Sequence, residues 1–182
     1  MEILLTNDDG IYTPAIFKLK QSLNDLGNVT VVAPDVEQSG VSHSITFNRP
    51  IMARKVFINN SLFGYGISGS PADCVKLAVR ELMKTPPDIL VSGINSGANV
   101  GIHVLHSGTV AAAIEGAILG IPSFAVSLEY TEIPDIESAA LITRKIIVFL
   151  AKLQLHKGTL LNINIPAIPL NQIRGIKITK QH

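Results

Sequence analysis

The chain has a single cysteine, little charge and no uninterrupted hydrophobic run long enough to cross a bilayer. Cys74 has no partner for an internal disulfide, which fits a reducing compartment. Charged residues make up only 16% of the 182 positions, too few for a coiled coil, while 47% hydrophobic content excludes a disordered or collagen-like chain. Fifteen Lys and Arg against fourteen Asp and Glu leave a net charge of +1, so no global field gathers a nucleic-acid polymer. Any anionic ligand must be held by a local device. The apolar stretch from Ile136 to Leu153 is broken by Thr143, Arg144, Lys145 and Lys152, too polar for a membrane span. Met1-Glu2-Ile3-Leu4-Leu5 runs into polar Thr6-Asn7-Asp8-Asp9 with no basic leader, so no signal peptide is read there and a cytoplasmic protein is expected. There is no internal repeat and no low-complexity segment.

What is present is an alternation of short β-rich runs with helix-length amphipathic segments, the pattern of a parallel sheet covered on both faces. Ile3-Leu4-Leu5 predicts a buried strand, followed by a helix opened by a Thr13 hydroxyl cap and Pro14 and ended by Gly27. Ile16, Leu19 and Leu23 keep helical spacing along it. Val29–Ala33 is the second strand. Between Asp35 and Gly69 the pattern changes to a hairpin excursion: 44–47, 51–58 and 62–67 read as short strands, with Asn59-Asn60 as a turn. A helix over 71–84, strands over 88–92, 124–128 and 160–165, and helices over 107–120 and 134–153 complete the series. Residues 173–179 predict one more strand. The expectation is one α/β domain, Rossmann-like in architecture.

In such sheets ligands bind beyond the carboxyl ends of the strands, where loops converge. Three loops carry polar groups directly after a strand: Asn7-Asp8-Asp9-Gly10, the segment from Asp35 to Ser39, and Asn95 to Asn99. Adjacent carboxylates at Asp8 and Asp9 repel unless a cation or proton sits between them, and with hydroxyl and amide oxygens they form a hard set suited to Mg²⁺ or Mn²⁺. An isolated Asp-Asp-Gly is more often a plain turn. Gly93, Gly97 and Gly101 follow neither the dinucleotide fingerprint nor a Walker A loop, which disfavours a P-loop ATPase or standard NAD binding. The glycines and Asn95 and Asn99 suit either a small polar ligand or a long surface loop. Ser107-Gly108-Thr109 opens a helix, either as an N-cap or as a site for a phosphate-sized anion. His103 and His106 precede it and are candidate general acids, or loop-capping residues. His43 lies in a polar loop, His156 and His182 read as solvated, and Cys74 reads as a packing residue. No nucleophile elbow is visible.

Five segments taken together resemble the SurE family, the stationary-phase survival proteins that are metal-dependent 5′/3′-nucleotidases. They are Ile3-Leu4-Leu5-Thr6-Asn7-Asp8-Asp9-Gly10, Val32-Ala33-Pro34-Asp35 with Gln38-Ser39-Gly40, Gly69-Ser70-Pro71-Ala72-Asp73-Cys74, Val91-Ser92-Gly93-Ile94-Asn95-Ser96-Gly97-Ala98-Asn99, and Ser107-Gly108-Thr109-Val110-Ala111. The matches run in order over nearly the whole chain. The resemblance implies that Asp8, Asp9, Ser39 and Asn95 ligate one divalent cation, Mg²⁺ or Mn²⁺, with Asp8, Asp9 and Asn95 carrying the catalysis. It implies that Ser107, Gly108 and Thr109 hold the substrate phosphate, with Asn7 and Asn99 in the same pocket. It further implies a Rossmann-like three-layer fold with a protruding hairpin, homodimers or tetramers, and hydrolysis of nucleoside 5′- and 3′-monophosphates by a metal-activated water. Family members usually extend well beyond the equivalent of Lys177-Ile178-Thr179 into an arm used in subunit association. The expectation is therefore a single SurE-like domain over 1–182 without that extension, and the alternative is a weakly catalytic module that binds nucleotide and Mg²⁺.

Overall fold

The structure, a computed structural model, describes residues 1–150, 153 and 155–180. The expectations for His182 and for the helix end at 151–152 lie outside them. Strands β1 (Glu2–Thr6), β2 (Asn28–Pro34), β3 (Ala53–Ile58), β4 (Ser61–Ile67), β5 (Ile89–Ser96), β6 (Ser123–Leu128) and β7 (Leu160–Ile165) form one sheet in the order β3-β4-β2-β1-β5-β6-β7. Only the β3–β4 pair is antiparallel. Helices α1 (Pro14–Leu23), α2 (Pro71–Leu77), α3 (His103–His106), α4 (Gly108–Ile118) and α5 (Ile136–Leu150) connect the strands.

The inner strands are apolar on both sides, and their period of two divides the core between the faces. Ile3 and Leu5 of β1 pack with Ile16 and Leu19 of α1, Phe124 of β6 and Ile147 of α5. Leu4, one residue between, belongs to the opposite cluster with Leu90, Cys74 and Val75 of α2, and Ala112 and Ala113 of α4. The small residues of α4 let it lie close to the sheet. Cys74 is fully buried, as a packing residue should be, and burial pushes its thiol well above the ordinary range, which leaves it inert.

Several local expectations are corrected. Pro14 starts α1, but the Thr13 hydroxyl does not cap it; it donates instead to the Gly10 carbonyl and accepts from Asn7. The helix stops at Leu23, ahead of Gly27. Residues 44–47 form no strand, because side chains claim their backbone groups: Ser70 Oγ donates to the Ser44 carbonyl, and the Thr46 amide donates to Asp73. The 173–179 segment also has no strand. The hairpin is present, with Asn59 and Asn60 at φ of 50° and 62°, the left-handed pair a two-residue turn requires. Its second strand continues the main sheet by pairing in parallel with β2.

Chain order places the functional end. From β1 the chain moves to β2 on one side, and it later returns to lay β5 on the other. The loops after β1 and β5 therefore part company at a topological switch point, where a crevice opens.

Candidate active site

Asn7 and Asp8 leave the end of β1 fully or almost fully buried. The Asn7 side chain folds the turn: its Nδ2 donates to the Gly10 carbonyl and Thr13 Oγ1, and its Oδ1 accepts from the Gly10 amide. Its place in the pocket is as the frame of the Asp8-Asp9 turn. The Asp8 carboxylate meets the start of α4. Oδ2 accepts from the Thr109 amide at 3.0 Å and Oδ1 from the Thr109 hydroxyl at 2.5 Å. Helix-terminal amides favour an anion there. Burial opposes them and dominates, so the Asp8 carboxyl is raised above its ordinary value. Asp9, half-buried, is pushed up to about 6 by burial first, then by the charges of Asp8 and Glu37.

The segment after β2 closes over this turn. The Gln38 amide donates to the Asp8 carbonyl at 2.7 Å, and Ser39 Oγ donates to Glu37 Oε1 at 2.6 Å. The Ser39 hydroxyl is exposed and its proton is held by a carboxylate. On the other side of β1, Thr6 is in register with Ser92 of β5, and both hydroxyls are buried without a hydrogen-bond partner. Asp8 follows the end of β1, two residues beyond that rung, and Asn95 lies three residues beyond it on the neighbouring β5, past an irregularity in that strand's ladder with β6. Asn95 is half-buried and its Nδ2 donates to the Gly97 carbonyl, so its Oδ1 is the donor atom it offers.

At the start of α4, Ser107 Oγ accepts from the Val110 amide, and the Thr109 amide is committed to Asp8. The three residues expected to hold phosphate divide accordingly: Thr109 anchors the Asp8 carboxylate, while Ser107 caps the helix and Gly108 packs against Asp8. Gly108 is required by packing, since a Cβ there would lie 2.8 Å from Asp8 Cβ. Asn99 is buried and held from β6 and β7: its Nδ2 donates to Ser127 Oγ, and its backbone amide and carbonyl are both bound by the Asn164 side chain. His103 and His106 are exposed on α3, immediately before Ser107, and His156 is exposed as expected.

The donor set fits a hard cation. Asp8, Asp9 and Glu37 concentrate negative charge, and among the described residues no ion pair involves any of them. Also among the described residues, no group of three or more His, Cys, Asp and Glu is arranged to hold a metal, so soft or imidazole-rich coordination has no basis. Sequence reasoning missed Glu37, whose only signal was its place two residues before Ser39. It also missed the contacts of Asn164 and of His43, which link residues far apart in the chain.

A mostly parallel α/β sheet with an acidic turn at its switch point, against a helix start, defines a three-layer domain of the Rossmann-like class. The chain belongs to the SurE family: the family described as "Survival protein SurE" matches residues 3–182. It is 48% identical to "5′-nucleotidase SurE" of Syntrophobacter fumaroxidans over 181 residues, covering 100% of this chain and 72% of that protein. The protein of the same name from Syntrophus aciditrophicus is 49% identical, with 68% of its length covered. The crystal structure of the SurE protein from Aquifex aeolicus superposes with a TM-score of 0.91 at 43% identity, covering 100% of this chain and 72% of that one.

Proposed function

We propose that the chain is a divalent-metal-dependent 5′-nucleotidase, a phosphomonoesterase that releases phosphate from nucleoside 5′-monophosphates and also from 3′-monophosphates. The observation that carries the reading is the Asp8-Asp9 pair at the switch point, without an ion-pair partner among the described residues, its Asp8 carboxylate buried against the start of α4. Similarity over the whole chain to proteins named 5′-nucleotidase supports the activity. Nothing in the similarity to proteins named 5′-nucleotidase supports the weakly catalytic alternative.

Asp8, Asp9, Ser39 and Asn95 are the residues that would hold one Mg²⁺ or Mn²⁺. A divalent cation bound there supplies charge neutralisation on the phosphoryl oxygens and a more acidic water for in-line attack. The chain's own groups do the positioning. Thr109 fixes Asp8 through two hydrogen bonds, which keeps the carboxylate aimed without reorganisation. The Gly108 amide and Ser107 hydroxyl bind phosphoryl oxygens at the positive end of α4. Asn7 holds the turn that carries both carboxylates, and Asn99, locked by Asn164 and Ser127, fixes the loop that follows Asn95. His103 and His106 are the candidate proton donors to the leaving oxygen. The cytoplasm is the proposed setting, and a homodimer or tetramer the proposed assembly. Among the described residues no helix is long and apolar enough to cross a membrane.

The test is phosphate release from AMP with Mn²⁺, with EDTA as control. The reading expects release with metal and none after chelation; equal release in both, or none in either, contradicts it.

A further inference from the structure

Glu115 is a buried carboxylate that the proposed chemistry does not use. It lies on α4 beyond Thr109, and its side chain is only 7% exposed. A carboxylate so buried is costly unless its oxygens are paired. Here both are: Oε2 lies 2.9 Å from His43 Nε2, and Oε1 lies 3.5 Å from Lys76 Nζ of α2. His43 belongs to the segment between β2 and β3, which has no helix or strand to hold its shape.

That segment carries Ser39, and its course is set by tethers. The Gln38 amide donates to the Asp8 carbonyl, the Ser42 amide to the His106 carbonyl, and Thr46 to Asp73. Between Gln38 and His43 the backbone turns through positive φ at Gly40 (71°) and Ser42 (54°). The His43–Glu115 contact joins this stretch to the body of α4. The same helix holds Asp8 through Thr109 at its first turn. One rigid element therefore sets both sides of the cation site.

We propose that Glu115 is a positioning residue: by gripping His43 it fixes the strap that presents Ser39 to the Asp8-Asp9 pair. This rests on the reading of Ser39 as a metal ligand, and the test separates the two. Hydrogen exchange is measured on the metal-free chain, and Mn²⁺ affinity by calorimetry, for wild type, Glu115→Gln, His43→Ala, Ser39→Ala and the Ser39→Ala/His43→Ala double variant. His43 is a half-exposed loop residue, so its replacement leaves the core intact. His43→Ala should speed exchange over residues 39–44 and weaken Mn²⁺ binding about tenfold. Glu115→Gln keeps an oxygen for His43 and should lose less. In the Ser39→Ala background, His43→Ala should cost no further affinity. Unchanged exchange over 39–44, or the same loss of affinity with and without the Ser39 hydroxyl, overturns the proposal. Full Mn²⁺ affinity in Ser39→Ala alone marks failure of the ligand assignment, and it overturns the presenting role as well.

Discussion

Asp9 governs how the site responds to pH. Its carboxyl moves from an ordinary 3.8 to about 6 in the folded chain, and burial raises Asp8 in the same direction. The metal-free folded chain thus keeps a proton that the unfolded chain releases between about pH 4 and pH 6. The resulting stabilisation is fully present below the unfolded value and is lost as pH rises through the folded one. The metal-free thermal midpoint is expected to fall between pH 5 and pH 7.5, and Asp9→Asn should flatten that dependence and raise the midpoint at pH 7.5. Mg²⁺ should stabilise wild type most at the upper end of the same range, because it replaces the lost proton. Thermal melts with EDTA and with Mg²⁺ at three pH values check all of this. Gly108→Ala acts by sterics: its Cβ would meet Asp8 Cβ at 2.8 Å and Asp8 Oδ2 at 3.0 Å. A carboxylate displaced by about 1 Å should cost about 100-fold in turnover, read as kcat on AMP.

At the scale of elements, the chain's periodicity made most of the fold legible. Apolar runs such as Ile3-Leu4-Leu5 and Phe124-Ala125-Val126 could only be buried strands, and the Asn59-Asn60 turn followed from residues that tolerate left-handed backbone. The failures share a cause. Residues 44–47 have β-like composition, yet Ser70 and Asp73, distant in sequence, take their backbone groups. Ser70 is also half of a capping box with Asp73 at the start of α2. Ser70→Ala should therefore cost about 1 kcal/mol, measured by urea denaturation. Phe124→Ala, at 1% exposure between the sheet and the packed helices, should cost about 3–5 kcal/mol by the same measurement.

On the scale of the whole molecule, function follows from the order of strands. Placing β5 beside β1 puts the ends of two strands distant in the chain side by side, with Asn95 and the Asp8-Asp9 turn beyond them, and α4 brings Thr109 onto Asp8 across 101 positions. Asp8, Asp9, Ser39 and Asn95 are proposed as ligands from family motifs, which the sequence carries openly. Glu37, Glu115 and Asn164 were not legible there, because their importance lies in contacts that only the folded chain creates. The most direct test of the central claim is calorimetric titration of Mn²⁺ into the EDTA-stripped chain and into its Asp8→Asn variant. The account predicts about one ion per wild-type chain and loss of that binding in a variant that stays folded. Binding of equal strength and stoichiometry in both would contradict it.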